Sequence, residues 1–94
     1  MIKSFKSKSL KLLWEKNNPS KLPALQLKKI KIILQILDDL EEVPEDLLHL
    51  VSFRPHPLKG NLQGYWSLDV TANYRIIFRF ESKNAYDLDY LDTH

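Results

Sequence analysis

Residues 66–91, WSLDVTANYRIIFRFESKNAYDLDYL, read with the period of strands rather than helices. Trp66, Leu68 and Val70 alternate with Ser67 and Asp69. Tyr74, Ile76, Phe78 and Phe80 alternate with Arg75, Ile77 and Arg79, and Tyr86, Leu88 and Tyr90 with Asp87, Asp89 and Leu91. Successive side chains of a strand point to opposite faces, so each run has one apolar face to bury. Only TAN and SKN separate the runs, too little chain for a crossover helix, so the three strands form an antiparallel meander. With Tyr74, Ile76, Phe78 and Phe80 turned toward a core, Arg75 and Arg79 project from the opposite face. Asp87 and Asp89 join them if Tyr86, Leu88 and Tyr90 point inward. Cross-strand ion pairing is the simpler reading for Arg79 and these two acids, at about 0.2–1 kcal/mol per pair. A guanidinium on such a face is alternatively a bidentate clamp for a phosphate.

The chain before this stretch reads as helix. In SKSLKLLWEK, Leu10, Leu13 and Trp14 fall at helical spacing, and Asn17-Asn18-Pro19 ends the helix because proline disfavours helical geometry in the residue before it. A second helix is expected from about Pro23 to Glu42, where Leu27, Ile30, Ile33, Leu34, Leu37 and Leu40 form one apolar stripe. Asp38, Asp39, Glu41 and Glu42 crowd its C-terminal end, where the helix dipole disfavours anions, so fraying is expected there. IKSF (2–5) alternates like a short strand, PEDLLHL (44–50) reads as a turn or short helix, and the Phe53 segment is a possible further strand. Two amphipathic helices covering one face of a mainly antiparallel sheet make a two-layer α+β fold. The 94 residues are expected to form one domain with one modest core, to which Leu13, Ile30, Leu34, Leu37, Trp66, Leu68, Ile76, Phe78 and Leu88 are assigned.

Charge is distributed unevenly. Residues 1–35 carry nine lysines and one acid, whereas residues 36–94 carry five basic and eleven acidic side chains, so the net +2 hides a basic end and an acidic remainder. A lysine-rich end either attracts a polyanion or is simply a solvated helix surface. The absence of cysteine excludes a disulfide scaffold and a thiolate metal site, and fits a reducing cytoplasm. No apolar run is long enough for a bilayer, so no membrane partner is expected, and lysines break the N-terminus too often for a signal peptide.

RPHPLKGNLQGYW, residues 54–66, holds the most unusual side chain. Pro55 and Pro57 fix their own φ angles and bias Arg54 and His56 toward extended geometry, so His56 is positioned at little entropic cost. Lys59 follows three residues later, and Gly60 permits a sharp turn. A lone histidine is more often structural or simply exposed, and His49, in its acidic surroundings, is read that way. The sequence ends YLDTH, so Asp92 and His94 point the same way if the last strand continues through them, and such a pair can orient one another and move protons. The plain alternative is a frayed tail. No nucleophile elbow, P-loop or Gly-x-Gly-x-x-Gly motif is present, and no histidine pair has a helical metal-ligand spacing. Should His56, Lys59, Arg75, Asp92 and His94 converge, what remains is acid–base chemistry beside positive charge, without a metal or cofactor. That suits RNA cleavage by the RNA's own 2′-hydroxyl: a base takes its proton, cations stabilise the phosphorane, and an acid protonates the 5′-oxygen.

MIKSFKSKSLKLLWEK, RPHPLKGNLQGYWSLDVTANYRIIFRFE and AYDLDYLDTH together resemble the HigB-type toxins, the plasmid maintenance system killer group of the RelE/ParE superfamily, over nearly the whole chain. The resemblance implies a RelE-like fold and a type II toxin that enters the ribosomal A site, cleaves mRNA and inhibits translation. It also implies restraint by a HigA-type helix-turn-helix antitoxin. By position, the site falls on His56, Lys59, Arg75, Asp92 and His94. Arg54 and Arg79 are further phosphate-binding candidates, and Lys3, Lys6, Lys8 and Lys11 are candidates for gripping ribosomal RNA. Thr93 stands where similar toxins often have tyrosine, which removes a stacking surface worth about 1–3 kcal/mol per base. Two rivals share the scaffold: a ParE-like toxin that binds gyrase without cutting RNA, and a degenerate antitoxin-binding module.

Overall fold

The computed structural model describes residues 1–93. Helix α1 covers Lys8–Lys16 and α2 covers Leu27–Asp39; the strands are β1 (His56–Pro57), β2 (Tyr65–Asp69), β3 (Tyr74–Glu81) and β4 (Asn84–Asp92). The strands lie in sequence order, each antiparallel to the next, as the short connections require. The first residues run parallel to β4 through single bridges, Ile2 with Ala85 and Phe5 with Leu88, so IKSF touches the sheet without becoming a full strand. No helix among the described residues is long and apolar enough to cross a membrane.

Local chemistry sets the helix limits. The Ser7 hydroxyl accepts from the Leu10 amide at 3.2 Å and caps α1, which Asn17 ends in the left-handed conformation at φ 52°. The second helix is shorter than its apolar stripe suggested. Ala24–Gln26 form a 3₁₀ turn, and Leu40, buried but extended, closes the helix before Glu41. The acids at this end are held rather than frayed. An Asp38 carboxylate oxygen accepts the Ile2 amide at 3.0 Å. The Asp46 carboxylate accepts the Glu41 and Glu42 amides at 2.9 and 3.0 Å, bonds that hold it below the usual carboxylate range. Glu45–Leu47 and Val51–Phe53 are 3₁₀ turns, so Phe53 adds no strand; the added strand is β1, which contains His56.

The core lies between the helices and one sheet face. Leu10 and Leu13 of α1 and Ile30, Ile33, Leu34 and Leu37 of α2 meet Leu68, Ile76, Phe78 and Leu88. Trp66 packs against this core while only partly buried. One expectation about β4 fails. Ile77 pairs with Asp89 and Arg79 with Tyr86, leaving Phe78 opposite two residues of β4, Asp87 and Leu88. This bulge, with Asp87 at φ 55°, shifts the alternation by one, so Ala85 and Leu88 are buried in the core and Tyr86 lies on the opposite face beside Arg79. A bulge leaves no mark in an alternating sequence, which is why Tyr86 reads as inward.

Phe78 and Leu34 are fully enclosed, so Phe78→Ala should cost about 3–5 kcal/mol and Leu34→Ala about 2–5 kcal/mol in urea unfolding. Leu25→Ala, at a fully exposed position, should change stability by less than about 0.5 kcal/mol.

Candidate active site

Antiparallel partners share a face, so the register assembles the open side of the sheet row by row. One row is His56, Ser67, Ile77 and Asp89; the next is Asp69, Arg75 and Leu91; on the other side lie Tyr65, Arg79 and Tyr86. Strand β1 thus brings His56 onto the same face as Arg75, directly across from Ser67.

His56 is exposed, but its ring is anchored. Its Nδ1 lies 2.8 Å from the Arg54 carbonyl oxygen, an acceptor only, so Nδ1 carries the proton and donates. Nε2 is then the nitrogen left to exchange protons with a substrate. The anchor depends on backbone shape: Arg54 sits at φ 49° and ψ 58°, in the left-handed region, where it closes the Val51–Phe53 turn. The Arg54 side chain is 81% exposed and only 3.7 Å from Asp69, a weak pair in water. Arg54 is therefore not extended, contrary to what Pro55 suggests in the sequence; its left-handed backbone is what brings the carbonyl to His56 Nδ1.

Two buried polar atoms on this face have no hydrogen-bond partner among the described residues, Ser67 Oγ and Arg75 Nε. They occupy diagonal positions across β2 and β3. Unmatched buried polar groups are costly, about 1–3 kcal/mol each. Ser67 was not among the sequence-derived candidates, because a serine in a strand's polar phase has nothing to distinguish it. Arg79 is engaged: its Nε donates to Asp87 Oδ2 at 2.9 Å, which raises its already high pKa, while the Ser4 hydroxyl donates to Asp87 Oδ1 at 3.2 Å and accepts from the Asp87 amide at 2.8 Å. The ion-pair reading of Arg79 and Asp87 thus has direct geometry behind it.

The basic N-terminus reaches the same face. Lys6 Nζ lies over the Tyr65 ring, 5.1 Å from its centroid, and Tyr65 holds the ammonium protonated above the usual lysine range. Lys3, Lys8 and Lys11 are also exposed. Lys59 is exposed at the start of the Gly60–Leu62 turn, whose Gly60 adopts φ 65°.

The structure does not bring every sequence-derived residue to one point. Asp92 pairs with Tyr74, in the phase of Tyr90, on the helix-covered side. Burial first, then the Tyr74 and Asp92 charges, push the Tyr90 phenol upward; Tyr90 stacks on Tyr74 at 5.3 Å and donates to Gln26 Oε1. β1 and β4 are opposite edges of the sheet, about 14 Å apart at the usual strand spacing, so Asp92 and His56 are separated by more than side-chain reach. Beyond Asp92, the Thr93 amide and hydroxyl both donate to the Asn73 carbonyl, at 2.7 and 2.9 Å, tying the end of β4 to the β2–β3 turn. His94 lies outside the described residues.

Residues 3–94 match the family model of the RelE-like toxin of the type II toxin-antitoxin system HigB. The chain belongs to this HigB-like toxin family. It is 48% identical over 94 residues to the endoribonuclease HigB of Proteus vulgaris, a match that covers all of both chains. Its fold is that of a YoeB/ParE toxin from Agrobacterium tumefaciens, with a TM-score of 0.52 at 20% identity over 98% of this chain and 94% of that one.

The Arg54 anchor makes a direct prediction. Long-range ¹H–¹⁵N NMR of neutral His56 should show the Nδ1–H tautomer in large excess, where an unconstrained histidine side chain prefers Nε2–H. Arg54→Gly, which accepts a left-handed backbone, should preserve that tautomer, and Arg54→Val, which resists it, should lose it.

Proposed function

We propose that this chain is the toxin of a type II toxin–antitoxin system and an endoribonuclease that cuts mRNA in the ribosomal A site, halting translation. The carrying observation is the anchored imidazole: His56 Nδ1 on the Arg54 carbonyl, with Nε2 free on a face that also holds Arg75 and Lys6. The full-length likeness to an endoribonuclease supports the same reading.

In this reading the RNA backbone lies across the open face. Arg75 and Lys59 hold the scissile phosphate. Arg54 meets the neighbouring phosphate. Arg79, braced by Asp87, adds field more than contact. We assign the proton-accepting role to the chain's end, Asp92 with His94; Asp92 stands at the opposite edge of the sheet from His56, so this assignment requires the two ends to reach the scissile phosphate from opposite sides, with the 2′-hydroxyl proton passing to the Asp92–His94 end. The 2′-oxygen then attacks phosphorus, the phosphorane charge falls to Arg75 and Lys59, and His56, entering as the imidazolium with Nδ1–H on the Arg54 carbonyl, gives its Nε2 proton to the departing 5′-oxygen. The products are a 2′,3′-cyclic phosphate and a 5′-hydroxyl, and no bond forms between enzyme and RNA. Lys3, Lys8 and Lys11 contribute the salt-sensitive grip on ribosomal RNA. Thr93, bonded to Asn73 rather than turned toward a base, leaves stacking to other groups. The antitoxin that restrains this activity is a HigA-type helix-turn-helix protein.

Mapping mRNA ends after adding the protein to programmed ribosomes tests this. Fragments ending in 2′,3′-cyclic phosphate should appear. His56→Ala and a chain ending at Leu91 should each lower the cleavage rate by at least about 100-fold, the usual scale for losing one acid–base group. Intact mRNA together with blocked gyrase supercoiling would identify the ParE-like alternative instead.

A further inference from the structure

The acidic segment that follows α2 has no part in the chemistry above. Residues 32–53 contain six acids (Asp38, Asp39, Glu41, Glu42, Glu45 and Asp46) and neither lysine nor arginine. Asp38 and Asp46 are used in part to close backbone amides, but that explains neither the number of acids nor what lies between them.

Between them is an apolar groove. The chain from His49 to Phe53 runs back along α2: Lys29 Nζ sits over the Phe53 ring at 5.3 Å, while one turn-rich stretch away Ile36 and Asp39 face His49 and Leu50. The cleft left between the two, about 230 Å³, is lined by the apolar Ile36, Leu40 and Leu50 and by Asp39, Asp46 and His49. Chain neighbours of its lining are apolar and exposed: Leu48, next to His49, is 72% exposed, Val51, next to Leu50, 75%, and Ile32, one helical turn before Ile36, 44%. Single exposed apolar residues are ordinary, but several beside one groove with charged lining residues mark an interaction surface.

We propose that this groove is the docking site of the antitoxin in the toxin's own system, and that the antitoxin enters it with a segment of apolar side chains bracketed by lysine or arginine. The inference rests on reading the chain as a type II toxin. The chemistry of the groove selects the occupant. Apolar walls take Leu- or Ile-like side chains, and the uncompensated acids attract cations and speed encounter with a basic segment. RNA is disfavoured because its phosphates would meet the Asp39 and Asp46 carboxylates in a segment without lysine or arginine. A second copy docking through the same face would set those acids against their equals.

The test is the affinity of the co-expressed, purified antitoxin for toxin variants, measured by calorimetry and paired with thermal melting and ribosome-dependent cleavage. Leu48→Lys/Val51→Lys should weaken binding at least 100-fold, and Asp39→Lys about tenfold, with a flatter salt dependence. Leu25→Lys, an equally exposed apolar site away from the groove, should stay within threefold of wild type. Both groove variants should melt like wild type and retain cleavage, since the changed side chains are exposed; if the double variant unfolds, Asp39→Lys alone decides. Affinity within threefold of wild type in the groove variants overturns the proposal. So does self-association through the groove with antitoxin binding unaltered. A wild-type protein that binds antitoxin through this groove yet cuts no RNA would support the docking site and count against the nuclease reading alone.

Discussion

The register of β3 between its two neighbours is the constraint on which the molecule depends. One phase of β3, Ile76 and Phe78, closes the core against α2, and the other phase, Arg75, Ile77 and Arg79, builds the open face. A slip by one residue would bury arginines and expose the core, so the cost of burying those charges fixes the register firmly. The bulge at Asp87 fits within this constraint. It lets β4 keep Leu88 in the core while delivering Asp87 to Arg79 and Tyr86 to the open face.

That register also separates the molecule's charges by task. The basic N-terminus crosses the edge of β4 through its bridges at Ala85 and Leu88, which carries Lys6 over Tyr65 on the open face. The acids gather at the end of α2 and in the turns beyond, where two of them satisfy amides that would otherwise lack partners. A near-neutral total therefore coexists with one face suited to a polyanion and one suited to a cation-bearing protein segment.

Much of the fold is legible in sequence because it rests on periodicity. The stripe in α2 and the alternation in β2 and β3 identify their buried residues, and Asn17 with Pro19 marks the end of α1. What escapes is set by backbone geometry that composition does not encode. The Asp87 bulge looks like unbroken alternation. Arg54 in a left-handed conformation is invisible where an asparagine or glycine would have hinted at it. His56 stands out by its prolines, yet the carbonyl that fixes its tautomer is a backbone group available to any residue. Arg75 is readable as an open-face cation, whereas Ser67, whose hydroxyl lies unmatched nearby, is indistinguishable from a surface serine. Asp92 shares a period with His94 in the sequence, but its row in the sheet depends on where β4 takes its extra residue.

The central claim is that RNA lies on the open face of the sheet with its phosphate between His56 and Arg75. Amide NMR during titration with a 2′-O-methyl trinucleotide, which binds but lacks the attacking hydroxyl, tests it most directly. Shifts at Arg54, His56, Lys59, Ser67, Asp69 and Arg75, with those at residues 41–51 unchanged, are what this account predicts. Shifts concentrated on α2 and the acidic turns, with His56 and Arg75 unmoved, would contradict it.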